Sequence, residues 1–495
     1  MLLVLFLGAI AVTWAVLNPL GAVPDEQWHT VYAAAVVRGQ LGSGPDGTQV
    51  TIPGPVFSDP TSCIRFTPEK PLWLCPGIPP GPDTTITMGT SAAGYPPLYY
   101  AIVGLPTYLP FGSTPWLLMR LLSVALGMSL IGVPLLLCRR TPMHWIVVGC
   151  LAAFTPMVAF LVASVNPNGA EIAAAIGTCI SAVALVRGLT DQDSTAARRA
   201  AGALAVTSAY LMLARPYSFV QGVALLACIA LVVPTAAWHQ ARALRRMLAA
   251  WACVPAVALV TGVAFQVLKH GTSGGASASG SRIQSAWDMS ALLFDYVLET
   301  VGIFGWRDYY LPPWLMWLGV AAAVSLVTIG IAAGTRRQRF GLITLGVGAT
   351  TVAPLLGAVF VWGTEWKNYQ GRYALPLLVG IPLLGAAVGH FRSVRPGEVG
   401  RRLAPLVVWA LLLENVWGWC MTVIRYGTGL PLFVGTTLQP REFHWFHSVP
   451  TTVVIAGTIV AALALGVLVA RSIRRDPGWP VDARQPSGAP EHVAA

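Results

Sequence analysis

Close behind an apolar stretch at the start of the chain comes Val23-Pro24-Asp25-Glu26-Gln27-Trp28-His29, a concentration of ionisable groups in an otherwise hydrophobic sequence. Pro24 suits the first position of a new helix, and acids favour the positive end of a helix dipole. On such a helix Asp25, His29 and Tyr32 share one face at i, i+4 and i+7 spacing. An acid held there can act as a general base on a hydroxyl, with helix-end electrostatics as the alternative reading. Asp25, Glu26 and His29 also offer carboxylates and an imidazole to a divalent cation such as Mg, Mn or Ca.

A second cluster is Trp366-Lys367-Asn368-Tyr369-Gln370-Gly371-Arg372-Tyr373. Its glycine lets backbone approach a ligand, the planar fork of Arg372 suits phosphate, and the tyrosines suit a sugar face or lipid headgroups. The same arginine can instead snorkel to lipid phosphate. Arg215, Lys269, Arg282, Arg307 and Arg425 are further cations, any two of which can clamp a phosphate; Arg307 lies in Gly302-Ile303-Phe304-Gly305-Trp306-Arg307-Asp308. Asn166 belongs to a turn, Ser164 to Gly169, that leads into a helix whose first turn holds Glu171, a second functional acid or a complement to the dipole. His444 and His447 have i, i+3 metal spacing, but the neighbouring Trp445 and Phe446 fit a wet interfacial loop better. Phosphate-loop, dinucleotide, zinc-protease and serine-elbow motifs are absent in any workable context.

The elements that position these residues must be membrane helices. The 495 residues are 55% hydrophobic and 10% charged, and the mean hydropathy is +0.65, far from what a soluble surface requires. Taking about 20 apolar residues per span, we expect an all-α protein with twelve helices, near 2–18, 115–137, 143–163, 169–186, 200–214, 217–237, 248–268, 313–334, 340–361, 373–391, 403–424 and 450–470. Both ends are then cytoplasmic and the first helix is retained. Nineteen of the 31 Lys and Arg fall in the shorter inner segments, as the positive-inside rule requires. The net charge of +11 therefore reads as topology and not as a nucleic-acid surface.

This arrangement makes residues 1–475 one transmembrane unit and 476–495 a disordered cytoplasmic tail. Three outer loops, 19–114, 269–312 and 425–449, are large enough to build an outward-facing site. Cys63 and Cys75 share the first loop on an oxidising side and are expected to form a disulfide. The same loop ends in Tyr95-Pro96-Pro97-Leu98-Tyr99-Tyr100, read as a juxtamembrane element. Segment 271–281 is expected to be flexible. Glu414 and Asn415, inside an apolar span, should point into the bundle.

Together, Pro24-Asp25-Glu26 with His29, the Tyr95 to Tyr100 segment, Asn166-Pro167-Asn168-Gly169, Gly302 to Asp308 and Gln370-Gly371-Arg372-Tyr373 resemble a bacterial membrane-protein family catalogued as a domain of unknown function (number 2142). The likeness runs from the first helix to about residue 470, and the family resembles the multi-spanning GT-C glycosyltransferases. The resemblance implies an inverting sugar transfer from a polyprenyl-phosphate donor to an envelope glycan, glycolipid or glycoprotein, on the outer face of a bacterial inner membrane. Asp25 would be the base with Glu26 beside it. Arg372 would contact the donor phosphate, helped by Arg215, Arg307 and Lys367, and His29, Tyr99, Tyr373, Gln370 and Asn166 would line the substrate. Family members usually carry an aspartate where this chain has Asn168. Alanine and arginine richness points to an arabinan-containing envelope, hence an arabinofuranose donor; the competing class is a secondary transporter or lipid-sugar flippase.

Overall fold

The structure, a computed structural model, describes residues 1–44, 47–110, 112–137, 144–270, 282–358, 370–394, 397–430 and 451–475. Lys367, His444, His447, the 271–281 segment and the 476–495 tail lie outside the described residues. In chain order the helices are α1 (Leu2–Leu17), α2 (Glu26–Val36), α3 (Leu98–Val103), α4 (Ser113–Leu137), α5 (His144–Ala153), α6 (Pro156–Val162) and α7 (Pro167–Thr190). There follow α8 (Ser194–Leu213), α9 (Ser218–Val232), α10 (Thr235–Ala241), α11 (Arg245–His270), α12 (Arg282–Ala291), α13 (Leu293–Gly302) and α14 (Pro313–Ala333). The last are α15 (Arg336–Val347), α16 (Ala353–Leu356), α17 (Leu375–Leu378), α18 (Gly380–Phe391), α19 (Gly397–Gly427) and α20 (Thr451–Arg475).

The protein is a helical membrane protein. Among the described residues seven helical runs are long and apolar enough to cross a membrane, and the bent pair α5–α6 makes an eighth if it forms one span. Three more apolar runs, Leu2–Leu17, Ser218–Val232 and Leu375–Phe391, are shorter. Helix α8 coincides with the remaining predicted segment and opens with Arg198 and Arg199.

Several boundaries differ from the sequence reading for local reasons. The segment read as one helix over 143–163 bends by 74° between α5 and α6. Thr155 caps α6 through its side chain and Pro156 takes the first helical position, so the chain restarts there. The segment over 340–361 passes through a π-helical stretch, Gly348–Val352, into α16. The 19–114 loop contains two antiparallel strands, β1 (Gln49–Pro53) and β2 (Thr85–Gly89), with Gln49 opposite Gly89 and Pro53 opposite Thr85. Proline and glycine richness concealed them, although Val50 and Ile52 alternate inward with period two.

Helix α7 is the hub: 89% of its most apolar window is buried, and it packs on α4 and α8. Nine of its 24 residues are Ala or Gly, which lets backbones approach where hydrophobic burial discriminates little between helix and lipid. A Cβ on Gly177 would stand 2.1 Å from the Leu130 carbonyl oxygen of α4. Helix α11, by contrast, turns Val257, Val260 and Val267 outward, as a lipid-facing helix should. We expect Gly177→Ala to destabilise the protein by about 1–3 kcal/mol, as overpacking does, seen as a lowered Tm in detergent. Gly346→Ala, where a Cβ meets nothing within 4 Å, should not lower it; equal behaviour of the two would contradict the α4–α7 contact.

Candidate functional site

The site is organised around one ion pair that cannot itself reach solvent. Arg120, the basic residue inside the predicted second span, donates Nε to Glu26 Oε1 at 2.7 Å and Nη2 to Oε2 at 2.6 Å, with both side chains 0% exposed. Its remaining N–H groups reach the carbonyls of Ala15, Asn18 and Pro19, capping the open end of α1. The Glu26 carboxylate in turn accepts from Val165 N at 3.0 Å and Gly21 N at 3.3 Å. Both groups are saturated, which burial of charge demands. The pair ties α1, α2, α4 and the α6–α7 turn to one point.

Asp25, next in the chain, is forced outward. It precedes α2 with φ 67° in the left-handed region, so the helix starts at Glu26 and not at Pro24. Such a conformation costs a non-glycine residue energy and requires surrounding structure to hold it. Its side chain is 40% exposed, and Oδ2 accepts from Arg372 Nη2 at 3.1 Å. Arg372 is 9% exposed and lines a narrow, open cleft with Pro24, Phe160, Glu299, Arg307 and Gln370.

Two further acid–arginine pairs flank this one. Arg307, also at positive φ (64°), pairs with Glu299 at 2.5 Å. Arg215 pairs with Glu171 at 3.2 Å, and Ser218 Oγ donates to the other Glu171 oxygen. The Tyr373 ring lies 5.1 Å from the Arg215 guanidinium and 5.3 Å from that of Arg372, distances at which a ring face attracts a cation. Of the three acids, Glu171 and Glu299 are 1% and 5% exposed. Asp25 alone of the three reaches solvent.

Gly371 is required for packing before any ligand is considered. A Cβ there would stand 2.2 Å from the Tyr296 carbonyl oxygen, and Gly371 N donates to Glu299 Oε2 at 2.6 Å. Burial pushes the Glu299 carboxyl up, against that hydrogen bond and the nearby Arg307 and Arg372.

The hairpin of β3 (Ile303–Phe304) and β4 (Tyr309–Tyr310) carries Arg307 and is held from both sides. Arg425 of α19, 0% exposed, grips Asp308 and the carbonyls of Ile64 and Lys70. Cys63 and Cys75 form a disulfide around those carbonyls. Within the same ring, Arg65 lies over Trp306 at 4.4 Å and Phe66 meets its edge.

The remaining predicted residues fall into distinct roles. His29 is buried, its Nδ1 2.8 Å from the Tyr100 hydroxyl; burial pulls its pKa down to about 3 against the pull of Asp25, with Arg215 and Arg372 lowering it further, so the ring is neutral at physiological pH. Tyr99 is fully buried on Ser123 at 2.7 Å and Ser164 at 3.3 Å and faces no cleft. Asn166 caps α7, its side chain accepting from Asn168 N. Lys269 donates to the Leu41 carbonyl, and Arg282 begins α12 away from the pairs. Asn415 points inward onto Trp14 Nε1 at 2.8 Å, and Glu414 is buried beside it. Asp25, Glu26 and His29 do not make a metal site: Glu26 faces Arg120, His29 faces Tyr100, and among the described residues no three His, Cys, Asp or Glu gather as ligands. Asn168 donates Nδ2 to Glu171 at 3.0 Å, which an ionised aspartate there could not do. Glu299 went unrecognised in the sequence, because one acid on a short amphipathic segment carries no signal before α13 is seen against Gly371.

A family model described as "Predicted membrane protein (DUF2142)" matches residues 5–381. The chain belongs to this family. The match contains Asp25, Arg215, Arg307 and Arg372 with all their acidic partners, and it ends within α18, short of the residue 470 expected from the motifs. No curated protein and no solved structure matches the chain.

Removing the anchor should be severe. Arg120→Ala leaves the Glu26 carboxylate buried and uncompensated, a cost of about 3–5 kcal/mol. We expect loss of the folded fraction in detergent by size-exclusion profile and Tm, with part of it recovered by Arg120→Met combined with Glu26→Gln. No loss for Arg120→Ala would contradict the pair's structural role.

Proposed function

We propose that the protein is a glycosyltransferase of GT-C type that moves a sugar from a polyprenyl-phosphate donor to an envelope glycan, glycolipid or glycoprotein at the outer face of the bacterial inner membrane. The observation that carries the reading is the juxtaposition of a solvent-reaching acid, Asp25, with a nearly buried arginine, Arg372, on a cleft that also holds Arg307.

In this reading all twelve helical segments span, with both ends in the cytoplasm. The arginine bias of the inner segments supports that topology. Outer loops 19–114 and 269–312 then bring Asp25, Glu299 and Arg307 to the outer surface, and the α8–α9 turn brings Arg215.

The chemistry follows from the charges. An acceptor hydroxyl attacks the anomeric carbon of the donor from the face opposite the phosphate, and Asp25 takes its proton. The carbon–oxygen bond to phosphate breaks with its electron pair leaving on oxygen, so a phosphodiester becomes a phosphomonoester with one more negative charge. Arg372 and Arg307 meet that charge as it develops, where preorganised donors contribute most. Donor phosphate competes with Asp25 for Arg372, which frees the carboxylate to accept a proton. Tyr373 and Gln370 border the sugar. An arabinofuranose donor fits an arabinan-containing wall.

The test is transfer of radiolabelled sugar from synthetic polyprenyl-phosphate donors by purified protein. Asp25→Asn should lower turnover by roughly 10²–10⁴, the usual worth of a positioned base, without weakening donor binding, since the substitution removes a competitor for Arg372. Turnover equal to wild type would remove Asp25 from catalysis. Absence of turnover with every donor, together with uptake or flipping of the lipid-linked sugar in vesicles, would move the function to transport.

A further inference from the structure

Arg307 is the most exposed of the three paired arginines, at 39% against 13% for Arg215 and 9% for Arg372. Its ion pair with Glu299 does little alone to fix a long side chain on a turn, because ordering such a chain costs rotamer freedom. The residues on either side of it are held instead. The Trp306 ring has the Arg65 guanidinium over its face at 4.4 Å and Phe66 at its edge at 5.7 Å. Asp308 is 3% exposed and accepts from Arg425 Nε at 2.8 Å and Nη2 at 2.7 Å. The turn between them is tight: Gly305 and Arg307 both take left-handed backbone, at φ 58° and 64°, and a Cβ on Gly305 would stand 2.3 Å from Asp308 Oδ1. A non-glycine residue in that conformation keeps it only while its surroundings impose it, so movement of Asp308 moves Arg307.

Arg425 spends the rest of its guanidinium on the disulfide ring. Nη1 donates to Lys70 O at 2.7 Å, and Nη2 reaches Ile64 O at 2.7 Å and Thr67 O at 3.4 Å. All three carbonyls lie between Cys63 and Cys75, which are bonded across twelve positions of sequence. Closing that ring removes the extended alternatives of the segment and keeps its carbonyls turned toward one point. The chain leaving α19 runs against the same ring: Leu430 N donates to Pro68 O at 2.6 Å, and a Cβ on Gly429 would stand 2.2 Å from Glu69 O. Arg425 is 0% exposed, and with one carboxylate and three carbonyls as partners it has nothing to offer a ligand. It belongs to α19, beyond residue 381 where the family match ends.

We infer that Arg425 is a positioning residue for Arg307, carrying the rigidity of the Cys63–Cys75 ring through Asp308 to the guanidinium on the cleft. The disulfide thereby acts on anion binding from a distance and through geometry alone. Opening it leaves every charge in place and frees only the carbonyls on which Arg425 rests. The inference rests on the proposed phosphate cleft and adds the element that holds its more exposed cation.

The experiment uses the full-length protein in detergent and compares wild type, Arg425→Gln and the double variant Cys63→Ser with Cys75→Ser, each alone and combined with Arg307→Gln or Arg372→Gln. Two quantities are read: binding of a one-isoprene monophosphate, and hydrogen exchange at the amides of Arg307 and Leu311, which donate to Phe304 O and Gly302 O. Opening the ring should speed exchange at both amides and weaken phosphate binding about tenfold, the worth of one charge-assisted hydrogen bond. With Arg307→Gln already present it should cost nothing more, whereas with Arg372→Gln it should still cost about tenfold. Non-additivity with one arginine and additivity with the other is a pattern that general loss of structure does not produce. If Arg425→Gln fails to fold, the double serine variant carries the test. Additive losses with Arg307→Gln, or exchange and binding both unchanged on opening the ring, would overturn the inference. If neither Arg307→Gln nor Arg372→Gln weakens the phosphate, the cleft reading fails by itself, and exchange at Arg307 and Leu311 still decides the positioning: faster exchange upholds it and unchanged exchange refutes it.

Discussion

The cluster of acid–arginine pairs around Asp25 is organised by the buried contact between Glu26 and Arg120. A charged pair with neither member exposed is tolerated because each remaining polar atom has a partner: the arginine takes three carbonyls at the end of α1, and the carboxylate takes two backbone N–H groups. Such a pair need not add net stability over an apolar substitute. What it supplies is registration. It fixes the end of one helix, the start of another and a turn between two more at one point, and the strained left-handed backbone of Asp25 follows from that fixation.

Close to that contact stand three acid–arginine pairs, Asp25–Arg372, Glu299–Arg307 and Glu171–Arg215. Two have acids sealed from solvent and serve to hold their arginines near Tyr373 and Gly371. In the third the burial is reversed, with the arginine enclosed and the acid open. In the proposed reaction, an anion entering the cleft would find guanidinium groups already oriented, and the acid it displaces would be the one able to exchange protons with a second substrate. Asn168 fits the same scheme, since its amide donates to Glu171 where a second carboxylate would repel it.

Much of this was legible in the sequence. Among the described residues hydropathy located every long helix, because lipid imposes a simple length and polarity rule. Asp25 and Arg372 stood out as ionisable residues at helix ends, and the structure brings them within 3.1 Å. The partners were not legible. Glu26 and Asp25 look equivalent as neighbours, and only tertiary packing sends one to Arg120 and the other to Arg372. Arg425 looked like a free outer cation, but it reads carbonyls inside the disulfide ring. The bend at Thr155 was written in a cap residue followed by proline, a signal outweighed by the apolar run around it. The glycine at 371 was read as room for a ligand, whereas it makes room for the backbone of α13.

In the proposed reaction Arg372 exchanges Asp25 for a lipid phosphate. The most direct measurement is a cryo-electron microscopy structure of the protein in lipid nanodiscs with a nonhydrolysable polyprenyl-phosphosugar analogue. We expect a phosphate oxygen about 3 Å from the Arg372 guanidinium, as charge-assisted hydrogen bonds require, with the Asp25 carboxylate released toward the open side of the cleft. Analogue density elsewhere, with the Asp25–Arg372 pair intact, would contradict it.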